Sequence, residues 1–272
     1  MRTHLHNGRF RGGSYTCLGS GTVLVLVHGF PTDGGIWDPL IPLLERQVRL
    51  LLPDLPGSAG SPLPEDLSIE DMAEFLKELL DQEQVERCVL VGHSMGGYAA
   101  LAFAERYRER LLGLGLFHSS AFADTEAKIQ ERIKSIRLME RYGSRAFLRQ
   151  MMPNLFCARY RKEHPEVVQR IVEHYQDAPL ASLIAYYRAM MQRPARSSVL
   201  ARLQIPVLFA AGEQDQAAPL ADLLQQIPLP AVSDFRLWPD TGHMGMWETP
   251  RAAADLASFV AFCQQLQPAC AS

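Results

Sequence analysis

Val91-Gly92-His93-Ser94-Met95-Gly96-Gly97 is the stretch that decides how this 272-residue chain folds. It follows a short apolar run at residues 88–91 and precedes a helical pattern at 98–107, so it reads as a sharp turn from a strand into a helix. A serine on such a turn needs small neighbours, because side chains at Gly92 and Gly96 would collide with the adjoining strand and helix. The turn lifts the Ser94 hydroxyl clear of the sheet. It also leaves the Met95 N–H at a helix start, where backbone donors and the helix dipole favour developing negative charge. Gly-x-Ser-x-Gly in this context is the pattern of a nucleophilic serine, the lesser alternative for the five residues alone being a glycine-rich turn without chemistry.

Outward from the turn, apolar runs recur at residues 22–27, 48–52, 112–117, 206–210 and 235–238, bounded by Gly, Pro or Asp. The first, Thr-Val-Leu-Val-Leu-Val, is continuous, as suits a strand covered on both faces. Helical patterns lie between most of them. Ser68 can cap one, with Asp71 three residues on and Ile69, Met72, Leu76, Leu79 and Leu80 on one face, and residues 252–266 read similarly. This alternation predicts an α/β fold, a mostly parallel central sheet wound by helices on both faces. Asn7-Gly8 suits a two-residue hairpin turn at one edge. From 119 to 198 the alternation stops: Ile129, Ile133 and Ile136 sit at helical spacing, as do Val168, Ile171 and Val172. Residues 119–198 are therefore expected to form a helical lid, or cap, inserted into a core domain made of residues 1–118 and 199–272.

A serine hydroxyl needs a base, usually a histidine oriented by a carboxylate. His243, in Asp240-Thr241-Gly242-His243, follows the last expected strand and is the best placed of eight histidines. His28 and His93 read as structural, His4 and His6 belong to the terminal hairpin, and His164 and His174 fall on solvated helical faces of the insert. His118 ends the run 112–117, either lining a pocket or sitting in the core. For the orienting acid, Asp215 follows the run 206–210 directly; Glu213 reads as a turn residue and Asp124 as a rival acid. The chain order Ser94, Asp215, His243 is the one this architecture requires. A second oxyanion donor is expected from the N–H of Phe30, in His28-Gly29-Phe30-Pro31-Thr32-Asp33.

These motifs, with Asp54-Leu55-Pro56-Gly57 and Gly212-Glu213-Gln214-Asp215, make residues 19–266 resemble the α/β-hydrolase fold family in its lidded branch of serine esterases and small-molecule hydrolases. The resemblance implies a Ser94 nucleophile, His243 base, Asp215 acid, backbone oxyanion donors at Phe30 and Met95, and no cofactor. One departure stands out. Where the family commonly carries a histidine and a second glycine after its Asp-x-x-Gly turn, this chain has Ser58 and Ala59. Ser94 argues against relatives that use an aspartate at the elbow, namely haloalkane dehalogenases and epoxide hydrolases, and the Tyr186-Tyr187 pair reads as helix packing. The expected activity is hydrolysis of a carboxylic ester of a small or medium acyl substrate through an acyl-enzyme. Carbon–carbon or thioester cleavage by the same triad, or a catalytically quiet ligand-binding protein, are the alternatives. His118, Met151, Leu183, Met190 and Met191 are candidate pocket residues.

Composition narrows the partners. With 27 Lys+Arg against 30 Asp+Glu and 47% hydrophobic residues, the chain has no basic excess to recruit nucleic acid. No apolar run approaches the roughly 20 residues of a membrane helix. Met1-Arg2-Thr3-His4 lacks a signal-peptide core, so a cytoplasmic location is expected. Cys17, Cys88, Cys157, Cys263 and Cys270 are too scattered for a zinc site or a disulfide framework, and no metal is expected. Residues 119–198 carry 14 basic and 8 acidic side chains, a net +6 against −9 for the remainder. Arg132, Arg137, Arg141, Arg145 and Arg149 could draw an anionic substrate or an acidic carrier protein, the plainer reading being a solvated helix face. Monomer and homodimer both stay open.

Overall fold

The computed structural model describes residues 2–266; Cys270 lies outside them. Eight strands form one sheet: β1 (Arg2–His4), β2 (Ser14–Gly19), β3 (Val23–Val27), β4 (Arg49–Pro53), β5 (Cys88–His93), β6 (Leu111–Phe117), β7 (Pro206–Gly212) and β8 (Val232–Trp238). Their spatial order is 1-2-4-3-5-6-7-8. β1 and β2 are antiparallel, β2 runs antiparallel to β4, and every other neighbouring pair is parallel. The uninterrupted apolar runs of β3, β5 and β7 are buried at every position because helices cover both faces. β8, at the edge, is mostly half-buried or exposed and admits Ser233, Asp234 and Arg236.

The N-terminal hairpin is present, but its connection is not the two-residue turn expected at Asn7-Gly8. His4 pairs with Ser14, leaving residues 5–13 as a nine-residue loop. The loop is held by tertiary contacts: the Glu78 carboxylate accepts the N–H groups of Arg9 and Phe10, and the Phe10 ring meets Phe75 edge-on at 5.7 Å. These contacts override the local turn preference.

The helix Ile69–Gln82 starts in a capping box, Ser68 Oγ accepting from Asp71 N–H and the Asp71 carboxylate accepting from Ser68 N–H, each at 3.0 Å. It packs beside the alanine-rich helix Met95–Tyr107, while Arg251–Gln265 lies with the short helix Ile41–Leu44. Between β6 and β7 run the helices Glu126–Tyr142, Ser144–Met151, Ala158–Glu163, Pro165–Tyr175, Leu180–Gln192 and Ser197–Arg202, with no strand among the described residues there. Val168, Ile171 and Val172 are buried; of the other expected stripe Ile136 is buried, while Ile129 and Ile133 are half-buried. The two ends of this segment are tied together and to the sheet helices. Arg196 N–H donates to Ala121 O at 2.7 Å, and the Arg196 guanidinium pairs with Glu70 and Glu105. No helix among the described residues is long and apolar enough to cross a membrane.

Candidate active site

Ser94 stands between β5 and the helix Met95–Tyr107 with φ +51° and ψ −115°, a strained conformation for a residue with a side chain. The neighbours enforce it. A Cβ on Gly92 would lie 2.2 Å from Gly96 O, and one on Gly96 would lie 2.5 Å from the carbonyl oxygens of Val27 and His28. The backbone is pinned as well: Ser94 N–H donates to Phe117 O at 3.0 Å, and Ser94 O accepts from Gly97 N–H at 2.9 Å and Ser119 Oγ at 2.7 Å. Met95 N–H, as the first amide of the helix, has no intrahelical acceptor.

Asp215 follows β7 and is enclosed by four donors. Oδ1 accepts the N–H groups of Ala217 and Ala218 at 2.8 and 2.9 Å, while Oδ2 takes His243 Nδ1 at 2.8 Å and His118 Nδ1 at 2.9 Å. Burial by itself would raise this carboxyl group, but the positive potential of His243 and the hydrogen bonds from both histidines outweigh it and hold it well below the usual carboxylate range. With Nδ1–H committed to Asp215, His243 keeps its lone pair on Nε2, the tautomer a general base requires.

His243 is held from three other directions. Its N–H donates to Leu155 O at 2.7 Å, and its carbonyl accepts from His93 Nε2 at 3.0 Å. Beside it, the buried Glu248 carboxylate accepts three backbone N–H groups, those of Cys157 (2.8 Å), Gly242 (3.0 Å) and Met244 (2.9 Å). Burial, reinforced by the neighbouring His243 and His118, pushes the His93 imidazole well below its ordinary pKa, so it is neutral and donates through Nε2.

The loop carrying Phe30 lies directly against the elbow. A Cβ on Gly29 would come within 2.9 Å of His93 Nδ1, His93 O and Ser94 Cβ, so only glycine fits. His28, fully buried, accepts Leu55 N–H at Nε2 (2.9 Å) and donates from Nδ1 to Gly29 O (2.9 Å), which fixes the loop to the turn after β4. Ser58 Oγ sits 3.0 Å from the same Nε2 and 2.8 Å from Leu55 O. Ala59 adopts φ +45°, the conformation that the glycine of the resemblance takes more easily. The Phe30 ring stacks on Tyr187 at 4.5 Å and meets Tyr186 edge-on at 6.4 Å, so the tyrosine pair contacts the elbow-side loop as well as its own helix.

The structure thus sets Met95 and the Phe30 loop against Ser94 and joins His118 and His243 to Asp215, the two groups being linked by His93, next to Ser94 in the chain, which donates to the His243 carbonyl. Of the candidate pocket residues, Leu183 and Met190 are almost wholly buried, Leu183 beside a cavity of about 190 Å³ that Thr32, Ser58, Tyr175 and Tyr186 also line, and Met151 and Met191 are half-buried. Two features were not foreseen from the sequence: the His118–Asp215 contact and the Glu248 clamp. Asp124, the rival acid, is bound instead by Arg132 and Arg193. His118, Asp215 and His243 are spaced as metal ligands could be, yet the same atoms are already engaged with one another as imidazole donors and carboxylate acceptor.

Comparison with known proteins places the chain in a family. Residues 24–256 match the pattern described as "Alpha/beta hydrolase family". The chain is 30% identical over 252 residues to 2-hydroxy-6-oxononadienedioate/2-hydroxy-6-oxononatrienedioate hydrolase 2 of Pseudomonas putida, covering 86% of both. It is 24% identical to 3-oxoadipate enol-lactonase 1 of Acinetobacter baylyi over 73% of each. Among solved structures, a thermophilic esterase from Thermogutta terrifontis superposes with a TM-score of 0.90 at 29% identity, covering 97% of this chain and 99% of the other.

Proposed function

Because the chain belongs to the alpha/beta hydrolase family, we propose that it is a serine hydrolase that cleaves a carboxylic ester of a small or medium acyl substrate. Ser94 Oγ attacks the ester carbonyl while His243 Nε2 takes its proton. The carbonyl oxygen becomes an oxyanion facing the N–H groups of Phe30 and Met95. His243 then protonates the departing alcohol as the C–O bond breaks, leaving an acyl-Ser94. A water repeats the sequence, giving its proton to His243 and releasing the acid. Asp215 stabilises the imidazolium throughout without accepting its proton. Residues 119–198 serve as the cap over this site.

The observation that carries the reading is the 2.8 Å contact between His243 Nδ1 and Asp215 Oδ2, made from a carboxylate whose other oxygen is already saturated. A second reading, hydrolysis of a carbon–carbon bond beside a ketone, is favoured by the Pseudomonas putida relative at 30% identity. Mass spectrometry after treatment with a fluorophosphonate tests the activated serine common to both. The expected result is one adduct on Ser94 in the wild type and none in Ser94→Ala or His243→Ala. A folded wild-type protein that takes no adduct overturns the proposal, and adduct formation without turnover of any ester moves the assignment to the carbon–carbon reaction.

A further inference from the structure

We propose that the cavity flanking the elbow is a subsite for an anionic group of the substrate, a carboxylate on the acyl chain, held by Arg132 and Tyr98. This rests on the serine-hydrolase reading and names a substrate class for it.

The cavity, of about 170 Å³, shares its walls with the site. Ser119 lines it and donates to Ser94 O; Ala217 and Ala218 line it and hold Asp215 through their amides. Tyr98, also in the lining, stands four residues after Ser94, one turn along the same face of the helix that begins at Met95. One turn of helix rises about 5.4 Å, which sets the scale of the separation between the reacting carbonyl and a group bound here.

Charge in the cavity wall is unbalanced. Arg132 and Arg193 flank a single carboxylate, Asp124, with Arg132 Nε at 2.6 Å and Arg193 Nη1 at 2.8 Å. The three side chains are 11%, 5% and 4% exposed, so one positive charge is buried in excess. At the mouth, Lys128 pairs with Glu131 and Asp222 is exposed, so neither compensates it. A buried charge calls for a counter-charge, and an anionic ligand supplies one.

The two arginines divide the work. Arg193 is anchored as a clasp between the ends of the helical segment: Nη1 also donates to Met190 O, Nη2 donates to Phe122 O, and its Cζ lies 3.7 Å from the Tyr98 ring centroid, while its Nε is buried without a partner among the described residues. Arg132 gives Nε and Nη2 to Asp124 and leaves Nη1 uncommitted among the described residues, as the Tyr98 hydroxyl is. Arg132 also lies 5.3 Å over the Tyr187 ring, which stacks on Phe30. The Arg132 guanidinium is thus linked through Tyr187 to the Phe30 loop, while the Tyr98 ring from the helix after Ser94 lies against Arg193.

Two measurements on the full chain test the subsite. In the first, kcat/KM for monoethyl glutarate is compared with that for ethyl hexanoate in the wild type, Arg132→Gln, Arg132→Lys and Tyr98→Phe. The expected ratio favours the anionic ester by at least about tenfold in the wild type, collapses in Arg132→Gln, and is partly kept in Arg132→Lys. Tyr98→Phe, which preserves the ring under Arg193, lowers it by a smaller factor and guards against a folding defect in the arginine variants. In the second, glutarate binding to Ser94→Ala is measured by calorimetry, with and without Arg132→Gln, and needs no turnover. Arg132-dependent glutarate binding with no ester hydrolysis keeps the subsite and removes the esterase reading. Turnover of both esters at equal efficiency, with glutarate binding absent or indifferent to Arg132, overturns the subsite and leaves the serine hydrolase intact.

Discussion

Asp215 Oδ2 is shared by two imidazoles, and that sharing has a chemical consequence. His118 Nδ1–H donates to the same oxygen as His243, so its Nε2 carries a lone pair with no partner, beside Gly245 where a Cβ would lie 2.4 Å away. An unpartnered acceptor there is tolerable; an N–H would be worse. Burial lowers the His118 pKa despite the opposing pull of Asp215, so it stays neutral; the groups facing it are Asp215, His243, Glu248, His93 and the Trp238 ring. By drawing on Oδ2, His118 makes Asp215 a weaker partner for the imidazolium that forms during the proposed reaction. It is a positioning residue, acting through Asp215. Removing its donor concentrates the carboxylate charge on His243, which favours the protonated ring and moves the acid limb of kcat/KM to higher pH. His118→Leu is expected to shift that limb upward by about half a pH unit or more, and His118→Asn, whose amide N–H can replace Nδ1–H, to restore it. If His118 only filled space, the leucine variant would lose rate without moving the limb.

The loop that carries His243 is an element assembled from two distant parts of the chain. Glu248 binds the amides of Gly242 and Met244 on one side and of Cys157 on the other, Leu155 O accepts from His243, and Cys157 Sγ donates to Asp240 O at 3.1 Å. Residues 155–157 of the helical segment therefore brace His243, the base of the proposed reaction, and any motion of that segment must spare or disturb this contact. Glu248→Gln replaces one accepting oxygen with an N–H₂ group aimed at backbone N–H donors. It is expected to lower stability by about 2 kcal/mol and kcat/KM by about tenfold or more. Urea unfolding and steady-state kinetics check the two together; a variant with wild-type stability would mean that the clamp is dispensable. The contacts to Leu155 and Cys157 could not be read from the sequence, because they join residues more than 80 positions apart, and the shorter-range ones from Glu248 to Gly242 and Met244 depend on the loop path those remote contacts fix. The local features could be read. Gly92, Ser94 and Gly96 announced the elbow because the steric demand lies within five residues, and the apolar runs of β3 to β7 announced the sheet because both its faces are covered. His118 stayed ambiguous because its meaning depends on β6 lying beside β7, which sets Phe117 opposite Ala210 and brings the Asp215 loop within reach. Asn7-Gly8 misled because Glu78 and Phe75, far along the chain, decide that loop.

For the molecule as a whole, the burial that builds the site also sets a pH window for stability. His28, His93 and His118 are fully buried, and burial is the leading cause that lowers the pKa of each. In the unfolded chain they titrate near 6.5. Below that pH the unfolded state binds protons that the folded state refuses, so stability falls as pH falls, by up to about 1.4 kcal/mol per pH unit for each histidine. Asp215, held low, adds to the loss only once pH drops through the ordinary carboxylate range. At the other end, burial pushes the Cys88 and Cys263 thiols up to about 12, so above roughly pH 8.5 the unfolded chain releases protons that the folded state keeps, and stability falls again. A domain stabilised by roughly 5–15 kcal/mol is expected to lose most of that margin within a few pH units below 6.5. Urea midpoints from pH 5 to 10 should form a plateau between about pH 7 and 8.5, with the acid side the steeper because three imidazoles act there. A constant midpoint between pH 7 and 5, at unchanged m-value, would show that the three histidines take up protons in the folded state and that the neutral hydrogen bonds assigned to His28 and His93 are wrong.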